Sequence, residues 1–182
     1  MKTLTQTEED CATSNSPIKV WLVDDNVRFR NLVADILAEV NGIQCVRQFS
    51  SPTELLSTLA SKTGPDVILL DVQMGNENGV DAVRPIKSLA RTTRVLMFTT
   101  CFDPELKERA LSDGASDYLI KGGPLDKLIE SIHRQDDPDK IYSRRRRRTV
   151  CDKVTVKADR DTAEAALGSF ARGIQFFRAL WN

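Results

Sequence analysis

Strict alternation of two hydrophobic patterns over roughly the first 135 residues constrains this chain more than any other feature. Short runs rich in β-branched residues occur at 18–23, 43–49, 66–70, 94–99 and 117–120, and each is followed by a stretch with helical spacing. After the first run, Phe29, Leu32, Val33, Ile36, Leu37 and Val40 recur at the intervals that put side chains on one face of a helix. Leu55, Leu56 and Leu59 mark a second helix, and Val80, Val83, Ile86 and Leu89 a third. Leu106, Ala110 and Leu111 mark a fourth, and Leu125, Leu128, Ile129 and Ile132 a fifth. Pro85 falls inside the third and is expected to kink or shorten it, because proline lacks an N–H and its ring crowds the preceding turn. Parallel strands need crossover connections, which helices supply. Five β–α pairs in succession therefore predict an α/β fold: a five-stranded parallel, doubly wound sheet with helices on both faces.

In such a sheet the strand C-termini converge on one rim, and ligands bind in the crevice there. Asp24, Asp25, Asp71, Thr99 and Lys121 all fall at or just past the end of a run. Three carboxylates, a hydroxyl and an ammonium would thus share one pocket. Carboxylates about 5 Å apart repel by roughly 3 kcal/mol per pair at an effective dielectric near 20, so a cation sits among them or one stays protonated. A site made of carboxylate, carbonyl and water oxygens suits Mg²⁺, which keeps several waters and leaves room for phosphate oxygens. Phosphoryl transfer depends mainly on in-line positioning and on neutralising the equatorial oxygens. Mg²⁺, Lys121 and Thr99 would supply that neutralisation from three directions. Taken singly the same residues are ordinary: Asp25 or Asn26 could simply cap the first helix, Thr99 suits a strand, and Lys121 is a surface charge.

The stretches Val20-Trp21-Leu22-Val23-Asp24-Asp25-Asn26, Asp66 to Met74, Met97-Phe98-Thr99-Thr100 and Gly114 to Lys121 together resemble a response-regulator receiver domain, from about Ile18 to Arg134. The resemblance implies a flavodoxin-like, CheY-like strand order of 2-1-3-4-5. It also implies the roles. Asp71 is the phosphoacceptor for a sensor histidine kinase or histidine phosphotransferase. Asp25 ligates Mg²⁺ directly, Asp24 assists through water or a hydrogen bond, Asp71 shares the ion, and the backbone carbonyl of Gln73 completes the protein's share of the shell. Thr99 donates to one phosphoryl oxygen and Lys121 pairs with another. Tyr118 matches the aromatic position that swings inward on activation. The implied protein is a phosphoacceptor switch and not an enzyme in the ordinary sense, catalysing only its own phosphorylation and dephosphorylation.

Two departures from the family pattern stand out. The usual Met-Pro-Gly turn after the acceptor reads Met74-Gly75-Asn76, which predicts a looser turn, while Gly79 keeps its expected place. The proline common after the lysine is replaced by Gly122-Gly123, which removes the sequence ground for a cis peptide there. His133 reads as a helix-end cation, and Cys101 as a small hydrophobe.

A chain of 182 residues that is 41% hydrophobic can bury one good core, so one domain with appendages is expected. The division reads as a disordered N-terminal arm over 1–16, a receiver domain over 17–135, a basic linker over 136–160 and an amphipathic C-terminal helix over 161–182. Residues 1–16 show no basic segment followed by an apolar one, and no apolar run approaches bilayer length, so the chain reads as cytoplasmic without membrane insertion. Cys11, Cys45, Cys101 and Cys151 lack CxxC spacing and read as free thiols.

From Arg134 to Arg160 there are ten basic and five acidic residues, including the run Arg144–Arg148. That run is either a solvated linker or a contact to nucleic-acid phosphates. Beyond it, Ala163, Ala166, Leu167, Phe170, Ile174, Phe177 and Trp181 line one helical face, weakened by Gly168 and Gly173. Its surface is either its own receiver, a second copy of the chain, or a partner protein. Only 34 residues follow Arg148 and they show one helical stripe, so a complete helix-turn-helix output domain is not expected. Output by protein contact is the leading expectation. The alternative is a truncated or divergent DNA-binding transcription regulator acting through Arg144–Arg148. A Mg²⁺-dependent phosphatase is a third class, disfavoured because Asp24 and Asp25 are adjacent where such enzymes carry Asp-x-Asp.

Overall fold

The computed structural model describes residues 16–100 and 102–134. The expectations for the N-terminal arm, Cys101, the basic linker and the C-terminal helix lie outside the described residues, save for residue 16 of the arm.

The strands are β1 (Ile18–Val23), β2 (Ile43–Phe49), β3 (Val67–Leu70), the two-residue pair β4 (Gln73–Met74) and β5 (Glu77–Asn78), β6 (Arg94–Thr99) and β7 (Asp117–Ile120). The helices are α1 (Val27–Ala38), α2 (Pro52–Leu59), α3 (Gly79–Leu89), α4 (Pro104–Asp113) and α5 (Leu125–His133). Five strands form one parallel sheet in the order β2-β1-β3-β6-β7. Counting the parallel strands alone, this is the expected 2-1-3-4-5.

Strand alternation divides the core in two. Val20, Leu22, Val67, Leu69, Leu96 and Phe98 point to the face covered by Val33 and Leu37 of α1 and Leu128 and Ile132 of α5. Trp21, Val23, Ile68, Leu70, Val95 and Met97 point to the opposite face, under α2, α3 and α4. Because both faces are covered, β3 is buried at every position, which is why it reads as a continuous apolar run. Each large aliphatic side chain so buried contributes roughly 1.5–3 kcal/mol relative to exposure.

Two expectations need correction. Pro85 does not shorten its helix: α3 continues past it to Leu89. Pro85 and Asp81 both lie on the exposed side, so the carbonyl that the missing N–H leaves unbonded is not forced into the apolar core. The turn after Asp71 is not loose either. Gln73 and Met74 pair antiparallel with Asn78 and Glu77 around Gly75-Asn76, with Gly75 at φ 56°. A positive φ at the first central residue alone is the pattern of a type II′ hairpin turn, which glycine permits and proline forbids. Glu77 then ties the hairpin to α2, its Oε2 accepting from Thr53 N (3.3 Å) and Oγ1 (3.0 Å). Among the described residues every peptide bond is trans, and no helix is long and apolar enough to cross a membrane. His133 stands in the last turn of α5, as expected.

Candidate functional site

The rim residues start where the sheet stops. Asp24, Asp71 and Lys121 each follow the last residue of a parallel strand, yet their backbone N–H groups still join the sheet. Asp24 N donates to Phe49 O (3.1 Å), Asp71 N to Val23 O (3.0 Å) and Lys121 N to Thr99 O (2.6 Å). The ladder therefore fixes the root of each side chain before any charge interaction is considered.

Three carboxylates converge as expected. Oxygens of Asp24, Asp25 and Asp71 lie within 4.8 Å of one another. Lys121 Nζ donates to Asp71 Oδ2 at 2.6 Å and also pairs with Asp24 Oδ2. The two neighbouring aspartates have separate surroundings. Asp24 is buried, and its Oδ1 accepts from Asn26 N (2.8 Å). Asp25 is exposed, and its Oδ2 accepts from Gly75 N (3.0 Å) on the hairpin turn. The helix-capping role falls to Asn26, whose Oδ1 accepts from Arg28 N and Phe29 N, both at 3.1 Å. Asp25 is thereby left free of capping duty.

Asp71 is buried at the centre of the group, with Oδ1 accepting from Val72 N at 2.7 Å. Burial pushes its carboxyl above the ordinary carboxylate range; Lys121 opposes that shift and the charge of Asp24 adds to it. Three carboxylates against the Lys121 ammonium, with the Arg30 guanidinium at the Asp24 backbone carbonyl, leave the group net negative, a deficit that a divalent cation can fill. Among the described residues the donor set is all oxygen, one of its carboxylates faces solvent, and no histidine or cysteine joins it. Such a set fits Mg²⁺ or another hard cation.

The other expected residues lie on adjoining segments. Thr99 ends β6 and is buried, its backbone oxygen accepting from Lys121 N. Gln73 opens β4, two residues past Asp71. Tyr118 is already buried in β7, its ring edge-on to the exposed Phe102 at 6.5 Å and 88°. Gly79 is required by contact: a Cβ there would stand 1.9 Å from the backbone oxygen of Asp71. Outside this centre, burial raises the pKa of the free thiol Cys45, as suits an unreactive, partly buried cysteine.

Sequence reasoning missed three contributors. Arg30 Nη1 bonds the backbone carbonyl of Asp24. Gly75 N–H holds Asp25. The ring of Phe29 lies under Lys121 Nζ, 4.4 Å from ammonium to centroid. Phe29 had a signal, since it opens the apolar stripe of α1, but that stripe announces only a core face.

Residues 20–133 match the family described as response regulator receiver domain. The response regulator GacA of Pseudomonas aeruginosa is 32% identical over 117 residues, which is 64% of this chain and 54% of that protein. The chain spans about half the length of the curated relatives it matches. Among solved structures, a two-component response regulator of the LuxR family from Aurantimonas sp. SI85-9A1 superposes with a TM-score of 0.59 at 27% identity, over 71% of this chain and 99% of that one. A response regulator from Burkholderia pseudomallei, with a phosphorylated aspartic acid, calcium ion and citrate, shares the fold at 23% identity and TM-score 0.59, over 70% of this chain and 72% of that one.

Proposed function

The chain belongs to the response regulator receiver domain family, and on that premise we propose that it is a phosphorylation switch in two-component signalling, with Asp71 as the residue that accepts the phosphoryl group. The observation that carries this reading is the convergence of Asp24, Asp25, Asp71 and Lys121 on one rim, from three strand ends.

Asp25 and Asp71, with the Gln73 carbonyl, would hold Mg²⁺, and Asp24 would support them. When bound, the ion supplies charge neutralisation for the carboxylates and for the phosphoryl oxygens. An Asp71 carboxylate oxygen forms the new O–P bond while the P–N bond to a phosphorylated histidine of the donor breaks, and the imidazole nitrogen keeps the electron pair. Lys121, already placed against Asp71 Oδ2, neutralises one phosphoryl oxygen as it arrives. Thr99 donates its hydroxyl to another, and Tyr118 packs behind it in the phosphorylated form. The acyl phosphate is then hydrolysed, which resets the switch. The donor is a sensor histidine kinase or a histidine phosphotransferase, met in the cytoplasm, and the output passes by protein contact. The segment past residue 134 is its accessory.

Incubation with acetyl phosphate and Mg²⁺, read by intact mass, tests the assignment. Wild type gains one phosphoryl group and Asp71→Asn gains none; chelating the metal suppresses the gain. Equal labelling of both proteins would move the acceptor elsewhere.

A further inference from the structure

Lys121 is hemmed in on three sides. Its side chain is only 7% exposed. Two of its ammonium donors are taken by Asp24 and Asp71, and the Phe29 ring, 4.4 Å away, covers another side. The ring is itself held firmly. Its backbone N–H is bonded by the Asn26 cap at 3.1 Å, and the ring packs on Phe98 at 5.6 Å between centroids with a 42° tilt. Phe98 immediately precedes Thr99 on β6. One aromatic side chain thus braces the strand end carrying the hydroxyl and faces the ammonium.

We propose that Phe29 is a positioning residue for Lys121: a seat over which the ammonium pivots when Asp71 exchanges a carboxylate for a phosphoryl group. The inference rests on Asp71 being the acceptor. A nearly dry ammonium needs negative potential on every side, and an aromatic face provides it without a lone pair. That difference matters during the exchange. A hydrogen bond weakens steeply as its angle departs from linear, so an acceptor oxygen in the place of the ring would hold Lys121 in its resting direction. The attraction of a ring face varies slowly as the cation slides across it. Lys121 can therefore redirect its bond from Asp71 Oδ2 to a phosphoryl oxygen without losing its third contact. Leucine or methionine would fill the same space without the negative face.

Phosphorylation rates with acetyl phosphate and Mg²⁺, read by intact mass, are compared for wild type, Phe29→Leu, Phe29→Met and Phe29→Tyr. The two aliphatic variants label about threefold to tenfold more slowly, while Phe29→Tyr stays within about twofold of wild type. In the NMR spectrum the ring current shifts the Lys121 side-chain methylene protons upfield in wild type and in Phe29→Tyr, and the shift vanishes in Phe29→Leu. Wild-type rates in either aliphatic variant, or equal slowing of the aliphatic and tyrosine variants, would overturn the proposal, the latter by showing that the ring only packs. Labelling of Asp71→Asn at the wild-type rate would instead overturn the acceptor assignment, with the ring-current shift intact.

Discussion

Two charged clusters in this domain are built from similar residue types and differ in almost everything else. On the rim, Lys121, Asp24 and Asp71 have side chains 7%, 1% and 8% exposed. Between α3 and α4, Arg84 bonds Asp113 at 2.6 Å and Arg109 pairs with Asp81, but the arginines are 75% and 53% exposed. In the outer cluster the arginines have ready access to water, which screens their charges and hydrates them when a pair opens, although the Asp113 side chain is itself only 6% exposed. The inner cluster has surrendered hydration and retains more acid than base. An excess of buried charge of one sign is unfavourable for the fold by itself, so it marks a place kept for binding. Ion pairing as such carries no such message.

The sharpest way to break the contrast is to remove the inner cation. Lys121→Met leaves Asp24 and Asp71 buried without a counter-charge, and urea unfolding in the presence of a chelator is expected to show a loss of about 3–5 kcal/mol. Added Mg²⁺ should recover part of it, since a ligand that binds only the folded state stabilises it. A loss as small as that of a surface pair would erase the distinction.

Next in size is the response to pH. With the Asp71 carboxyl raised above its ordinary 3.8, the folded state binds its proton more tightly than the unfolded state does. Stability therefore falls as pH climbs from the ordinary value through the raised one, and stays lower above it. Asp71→Asn lacks this penalty. Without metal, its melting temperature should exceed that of wild type by more at pH 7 than at pH 4, in thermal melts monitored by circular dichroism. A constant difference across that range would show that burial does not tax the Asp71 charge.

The smallest effect belongs to the outer cluster. Arg84→Ala should cost less than about 1 kcal/mol, and the cost should shrink as salt is added. Arg109 Nε remains 4.0 Å from Asp113 Oδ2 to take up some of the charge. A larger, salt-independent loss would place this pair with the buried group.

Much of the fold was readable along the chain. The runs at 18–23, 43–49, 94–99 and 117–120 are strands with those bounds, and only the third starts one residue late, at Val67. Asp66 precedes the strand with its backbone still tied to both neighbours, its N–H donating to Lys19 O (3.0 Å) and its C=O accepting from Arg94 N (2.9 Å), while its Oδ2 accepts from Lys19 N at 2.7 Å. Apolar periodicity carries such information because each strand and helix reports its own buried face. The hairpin at 73–78 leaves no pattern in the sequence, since two-residue strands are too short to show a period. Gly75-Asn76 suits a type II′ turn, but without strand-length runs on either side it does not announce a hairpin. Either Asp25 or Asn26 suits a helix cap by residue type, and local geometry selects Asn26.

By itself the amino-acid order determined which segments are strands and helices, and hence that acids, hydroxyl and lysine would gather at one end of a sheet. It did so through short-range rules: alternation, helical spacing, capping. Only the tertiary structure decided the division of labour among them. Asp24 meets Lys121 across 97 positions of sequence, whereas Asp25, its covalent neighbour, reaches a glycine 50 positions on. Charge and hydrogen-bond partners are chosen by distance in space, and the desolvation that sets the proton affinity of Asp71 is a property of everything packed around it, so neither leaves a local mark in the chain.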